Sequence, residues 1–515
     1  MKSSLLKLAP AIAAVVLIFN SQIAQAADET AATNSSALRL AAIFGDNMVL
    51  QQQQTVPVWG WAAPNADLTV KFAGQTKSTR AGADGKWLVK LGRLKASTKP
   101  QNLVVESADG PLVTRHPSLV TLTNILVGEV WLASGQSNME KPIGNQSGQK
   151  PVFNAEQELA TANFPNLRVF KVEKALAATP RNDLGTNSTW LACSSNSLDD
   201  IHFSAAAYFF GREIHTNLNV PVGLVESSWG GTRIEPWTPP VGFEAVPSQA
   251  KFAQTKLATN KLSNARPMAI CNAMIAPLAG FAMRGVIWYQ GESNLMGTNA
   301  DNDYMEYPDK MKAMVGGWRQ IWGEGDFPFY FVQIAPYKYA SGRLHRANSP
   351  EMLPEFWTLQ SRAARQIKNT GMIVTTDLAD NLNDIHPRDK QDVGHRLALL
   401  ARNKTYGEKG VVCQGPVFEK VKISGDKAVL TFEHADGGLK SRDEQPLTWF
   451  TIAGADGKFV PATAKIAGDT VEVSAAGIEK PVAVRFAWDE TAQPNLLNKA
   501  GLPAEPFRTD DPLGK

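Results

Sequence analysis

Trp131-Leu132-Ala133-Ser134-Gly135-Gln136-Ser137-Asn138-Met139-Glu140 follows the apolar stretch Ile125-Leu126-Val127. The apolar stretch reads as a buried strand, and the run after it as a sharp turn built from Gly, Ser and Asn. A strand end of this kind points a hydroxyl out of a sheet, and small neighbours let a carbonyl reach it. Backbone N–H groups beside the hydroxyl then face the oxyanion that develops on attack. A Gly-x-Ser in a turn is most often only a turn, so Ser137 gains meaning from the segments around it.

Outward from this strand the chain keeps one style from about Leu119 to Tyr406. The apolar runs Val220–Val225, Gly285–Tyr289, Phe329–Ile334 and Met372–Thr376 alternate with helical patterns at Ser204–Leu218, Tyr307–Trp322 and Lys390–Ala401. Alternation of this kind predicts an α/β fold with a largely parallel sheet, whose ligands bind at the carboxyl ends of the strands. Residues 38–118 read differently. Thr55–Trp61 and Leu68–Phe72 alternate polar and apolar, and Asp84-Gly85 marks a turn, which predicts a small β-sandwich. From Val411 the β text returns, as in Ala428–Phe432 and Val482–Trp488, predicting a second β domain over 411–515.

The chain has 515 residues, which suggests two to four domains. Hydrophobic residues make up 43% and charged residues 20%, a globular balance. Net charge is +3, from 52 basic and 49 acidic residues with no basic block, so no nucleic-acid partner is expected. Thirteen Trp suit either sugar stacking or a core, and core is the commoner fate. Cys193, Cys271 and Cys413 show no metal spacing and read as buried thiols, with a single bridge left open.

Residues 1–26 read as an export signal: Lys2 and Lys7, the apolar run Leu8–Phe19, then Ala24-Gln25-Ala26. Residues 27–37 read as a flexible leader. No stretch is long and apolar enough to predict stable membrane insertion, so a periplasmic or extracellular protein is expected.

An acyl hydrolase needs a base for the Ser137 proton. The chain has seven His, and His386 in Asn383-Asp384-Ile385-His386-Pro387 stands out. Pro387 favours an extended loop there, and Asp384 is placed to orient the ring. His395 falls within a helix pattern and reads as surface. Two further segments follow strands. Ser227-Ser228-Trp229-Gly230-Gly231-Thr232 offers backbone N–H groups for an oxyanion, and in Trp288-Tyr289-Gln290-Gly291-Glu292-Ser293-Asn294 the Gln290 amide offers another. Glu292 is a candidate support for Gln290 or Arg233, or a partner for the His.

Together the four segments resemble the sialate O-acetylesterase family, a branch of the SGNH hydrolases. Gly135-Gln136-Ser137-Asn138-Met139 is similar to its first block, Trp229–Thr232 to its glycine block, Trp288–Asn294 to its third and Asp384–Pro387 to its last. The likeness runs over nearly the whole mature chain, from Asn47–Gln51 to Leu502–Asp510. It implies a flavodoxin-like α/β/α sandwich with flanking β-sandwich domains, and a metal-free, cofactor-free Ser–His esterase acting on O-acetylated sugars. It implies Ser137 as nucleophile, His386 as base, Asp384 as third member, and Ser137, Gly230 or Gly231, and Gln290 as oxyanion donors, with Asn138, Glu292 and Arg233 in support. The wider SGNH pattern has Asn where this chain has Gln290, and its Asp three residues before the His, where this chain has Asn383. Related esterases of xylan and xyloglucan share these blocks, so the sugar stays open. A non-catalytic sugar-binding protein and an exported peptidase or lipase are the readings of other kinds; the first has no use for a nucleophile. Oligomeric state is not legible.

Overall fold

The strand that ends at the nucleophile turn, β1, spans Ser118–Gly135. Its burial alternates over Ser118–Asn124 and is continuous from Ile125. The chemistry matches: Val120 to Thr123 alternates apolar and polar, while Ile125 to Gly135 is nearly all apolar or small. Alternation fits a sheet with one face in solvent, and a continuous run fits a sheet covered on both faces. Accordingly, the first half pairs antiparallel with Ser97–Ser107, and Leu126 lies opposite Val49 of a short parallel strand. The second half joins a different set of strands. Asn124 marks the changeover with φ 56°, a left-handed conformation that Asn tolerates better than most residues.

The structure, a computed structural model, describes residues 38–108, 118–146, 148–185, 188–296, 303–341, 349–435 and 437–511. The export signal and leader expected at 1–37 lie outside the described residues.

The central sheet adds β2 (Asn163–Lys171), β3 (Leu191–Ser194), β4 (Val222–Ser228), β5 (Gly285–Tyr289), β6 (Phe329–Val332) and β7 (Thr370–Ile373). Their order is β3-β2-β4-β1-β5-β6-β7. Every neighbouring pair is parallel except β2 and the edge strand β3. The chain builds β2 and β4 on one side of β1, then crosses to β5 on the other. Crevices at the carboxyl ends of strands open where the direction of winding changes, and here that point is β1.

Side chains alternate across β1 and seed two cores. Trp131 and Ala133 face α2 (Ala205–Leu218) and α5 (Lys390–Leu400). Val130 and Leu132 face the opposite layer, which holds α3 (Tyr307–Trp322) and α4 (Met352–Gln366). The helix ends follow capping chemistry: Ser204 accepts from Ala207 N–H at 3.1 Å at the start of α2, and Gly323 closes α3 with φ 70°. Gly394 lets α5 press on α2, since a Cβ there would lie 2.5 Å from the Phe209 Cβ. Trp131, Trp190, Trp237, Trp288, Trp318 and Trp357 are fully buried, so these six belong to the packing.

Beyond α5 the chain forms two four-stranded antiparallel sheets, Val417–Ser424 with Lys427–Glu433, Thr463–Ala467 and Thr470–Ser474, and Phe450–Ala453 with Phe459–Pro461, Ala483–Phe486 and Phe507–Arg508. They share one core that includes Leu430, Val471, Ile452 and Phe486. This sandwich is tied back to the α/β part where Ser341 N–H donates to the Glu490 carboxylate at 2.9 Å. Cys193 and Cys271 are buried thiols.

Candidate active site

The three central strands end in one register. Gly135 of β1 lies opposite Ser228 of β4 and Tyr289 of β5. The segments that follow them, 136–140, 229–233 and 290–294, therefore emerge side by side. Gly135 makes this close approach possible. Its φ is 140°, and a Cβ there would stand 2.1 Å from the Tyr289 carbonyl oxygen. The turn is pinned by Gln136 N–H to Tyr289 O at 2.9 Å and Trp229 N–H to Gly135 O at 3.0 Å.

Ser137 opens the one-turn helix α1 (Ser137–Glu140) and is half-buried at the surface of the cleft. His386 reaches it from the loop after β7, 249 positions along the chain, with Nε2 3.0 Å from Ser137 Oγ. Burial pushes the imidazole down to about 4; the Lys390 and Lys141 cations act in the same direction, and Asp384 opposes them. At neutral pH the ring is uncharged and its Nε2 accepts a proton.

Asp384 does not hold the ring as tightly as a third triad member would. Its carboxylate accepts the His386 backbone N–H at 3.0 Å and lies 3.6 Å from the ring Nδ1. A quarter of its side chain is in solvent, 25%.

The oxyanion donors expected from the sequence are only partly available. The Gly230 N–H is taken by the Glu140 carboxylate at 2.6 Å. Gly230 matters by being small: a Cβ there would lie 3.2 Å from the Ser137 Cβ. The Gln290 side chain is fully buried, and its Nε2 faces Asn294 Oδ1 at 2.7 Å, Gln136 Oε1 at 3.2 Å and Thr232 O at 3.2 Å. Its two protons have three internal acceptors, so this side chain stitches the three strand-end segments together instead of pointing at substrate. Ser137 N–H and Gly231 N–H make no hydrogen bond among the described residues. Gly231 is exposed with φ 73°.

The supporting residues also regroup. Glu292 holds neither Gln290 nor Arg233: its Oε1 accepts from Asn138 Nδ2 at 2.5 Å. Burial raises the Glu292 carboxyl above its ordinary range, and Oε2 lacks a partner among the described residues. Arg233 pairs with Glu235 at 3.0 Å and with Asp303. His395 is half-exposed and pairs with Glu213 at 2.7 Å.

Sequence reasoning missed Glu140, Gln136 and Lys390. Glu140 links the nucleophile helix to the glycine segment through the Gly230 N–H, and it also pairs with Lys174. Lys390 is fully buried at the start of α5, with Nζ 2.7 Å from Pro387 O and 3.0 Å from Asn138 Oδ1. A signal existed: a lysine in the first turn of a helix opposes the helix dipole and asks for another reason to be there.

A seven-stranded α/β/α layer with a Ser–His pair at its winding reversal, followed by a β-sandwich, is the arrangement of an SGNH-type hydrolase. Residues 127–402 match the family model described as carbohydrate esterase, sialic acid-specific acetylesterase. Sialate O-acetylesterase from Homo sapiens is 30% identical over 91% of this chain and 92% of its own length. The Mus musculus protein of that name is 30% identical over 91% of this chain and 94% of its own. The crystal structure of a carbohydrate acetylesterase from Xanthomonas citri superposes with TM-score 0.79 and 38% identity, covering 92% of this chain and 99% of that one. The chain belongs to the sialic acid-specific acetylesterase family and is a carbohydrate O-acetylesterase.

Proposed function

We propose that the chain is an exported esterase that removes O-acetyl groups from sialic acids through a Ser137–His386 dyad, with Asp384 as an electrostatic aid. The observation that carries this reading is the 3.0 Å contact between His386 Nε2 and Ser137 Oγ, made by an imidazole that burial keeps neutral. Ser137 Oγ attacks the acetyl carbonyl carbon while its proton passes to Nε2. The Ser137 and Gly231 N–H groups receive the oxyanion. The tetrahedral intermediate collapses, the C–O bond to the sugar breaks, and the sugar oxygen takes the proton from Nε2. Water, deprotonated by the same nitrogen, attacks the acetyl-serine and releases acetate. Export rests on the sequence of residues 1–26; among the described residues no helix is long and apolar enough to cross a membrane.

The test pairs chemistry with substrate choice. Ser137→Ala is expected to lose all turnover of an acetyl ester while its thermal unfolding midpoint stays put. An organophosphorus reagent is expected to add one adduct, at Ser137. Parallel assays on O-acetylated sialic acid, acetylated xylan and acetylated xyloglucan fragments are expected to favour the first. Residual turnover in Ser137→Ala would remove the nucleophile assignment, and preference for a plant oligosaccharide would reassign the sugar.

A further inference from the structure

The loop that carries the base is held from beneath by one buried polar unit. Lys390 Nζ donates to the carbonyl of Pro387, the residue after His386. It also donates to Asn138 Oδ1. Asn138 Nδ2 in turn donates at 3.0 Å to the carbonyl of Ile385, the residue before His386. Both carbonyls flanking the base are thus fixed, and the unit that fixes them includes the residue next to Ser137. The second Asn138 Nδ2 contact goes to Glu292 Oε1. The face of the Tyr289 ring lies 5.4 Å from the ammonium.

Burying this ammonium is expensive, because lysine is almost never fully buried without compensation and the start of α5 repels a cation. Packing alone would be served better by an apolar side chain of the same length. We propose that Lys390 is a positioning residue for catalysis: with Asn138 it sets the place of the His386 imidazole relative to Ser137. The proposal rests on the Ser137–His386 reading. The ammonium also lies among the charges that act on the ring, where Lys390 and Lys141 lower the imidazole and Asp384 raises it. The ammonium itself is lowered to about 7 by burial and by Lys141, while Glu292, Asp389 and Asp380 oppose that. Lys141 faces Asp384, Arg388 and Asp380 in the same cluster.

Lys390→Met keeps the length and removes donors and charge. Lys390→Gln keeps a donor and removes the charge. In Lys390→Met, kcat on an acetyl ester is expected to fall about 10- to 100-fold with KM little changed, since small displacements of a base cost rate more than binding. Lys390→Gln is expected to lose less kcat. Both are expected to move the acid limb of kcat/KM to higher pH by about half a unit or more, because a nearby cation is gone. Rates are taken per active site, counted by organophosphorus labelling, so unfolded protein does not enter. Wild-type kcat, or a lowered kcat with an unmoved acid limb, overturns the proposal. If neither variant folds, Asn138→Ser cuts the arm to Ile385 and leaves the lysine, and unchanged kcat there overturns it too. Ser137→Ala run alongside separates the two readings: residual activity in it sinks the dyad, whereas an inert Ser137→Ala beside wild-type-like Lys390 variants sinks only the role of Lys390.

Discussion

Asp384→Asn separates a dyad from a full triad. Asn retains an oxygen for the His386 backbone N–H, so the loop bond at 3.0 Å survives and the perturbation is the charge alone. The carboxylate lies 3.6 Å from Nδ1. At that separation a unit pair is worth about 1 kcal/mol in water and about 4–5 kcal/mol at an effective dielectric of 20. With 25% of the Asp384 side chain and 19% of the His386 side chain exposed, solvent pulls the value toward the lower end, about 1–2 kcal/mol. Because imidazolium forms in the transition state, its loss slows turnover by about 5- to 30-fold. The sign of the pH effect is also fixed. Asp384 favours the charged ring, so removing it lowers the imidazole further and moves the acid limb of kcat/KM to lower pH. The assay is kcat/KM on an acetyl ester from pH 3.5 to 8, with active sites counted. A loss near 10⁴-fold is what a direct carboxylate–imidazole bond costs when replaced by an amide. Such a loss would show that the ring and carboxylate meet in the working state and would refute the dyad.

Two further outcomes follow from the same geometry. In the wild-type enzyme kcat/KM should stay flat through neutrality and fall only as pH approaches about 4, where the buried imidazole takes up a proton; a midpoint near 6.5 in rapid pH-jump assays would mean the ring is more solvated than its packing implies. Gln290→Ala should lower the unfolding free energy by about 2–3 kcal/mol together with activity, because it strands buried partners in three segments. A turnover loss of about 10²–10³ with unchanged denaturant stability would restore Gln290 as an oxyanion donor.

Much of this fold is written in local pattern. Gly285–Tyr289 and Tyr307–Trp322 read from the sequence have the bounds the structure gives them. The turn at Gly135–Ser137 and the loop at His386–Pro387 were visible because Gly and Pro restrict the backbone in ways that show in one dimension. What escaped is non-local. β1 runs back to Ser118, beyond the apolar run, because its first half pairs with a different set of strands and has a different period. The register that aligns Gly135, Ser228 and Tyr289 depends on packing between strands far apart in the chain. The commitment of an amide is likewise invisible: Gln290 and Gly230 look like open donors until Asn294 and Glu140 arrive beside them.

The shift of the acidic residue by one position has a structural consequence that accounts for the rest of the site. An Asp two residues before the His sits where its carboxylate closes on the His386 backbone N–H, and the ring nitrogen is left at 3.6 Å. Orientation of the base then has to come from the backbone, since the carboxylate fixes the loop and not the imidazole. The loop is indeed fixed at three consecutive residues: the carbonyl of Ile385 by Asn138, the N–H of His386 by Asp384, and the carbonyl of Pro387 by Lys390. Keeping the ring neutral also passes from a single partner to a balance, in which burial and two lysines outweigh one aspartate with a quarter of its side chain in solvent. A site organised this way should tolerate the loss of Asp384 better than the loss of the buried unit beneath it, an ordering opposite to that of a triad in which the carboxylate grips the ring.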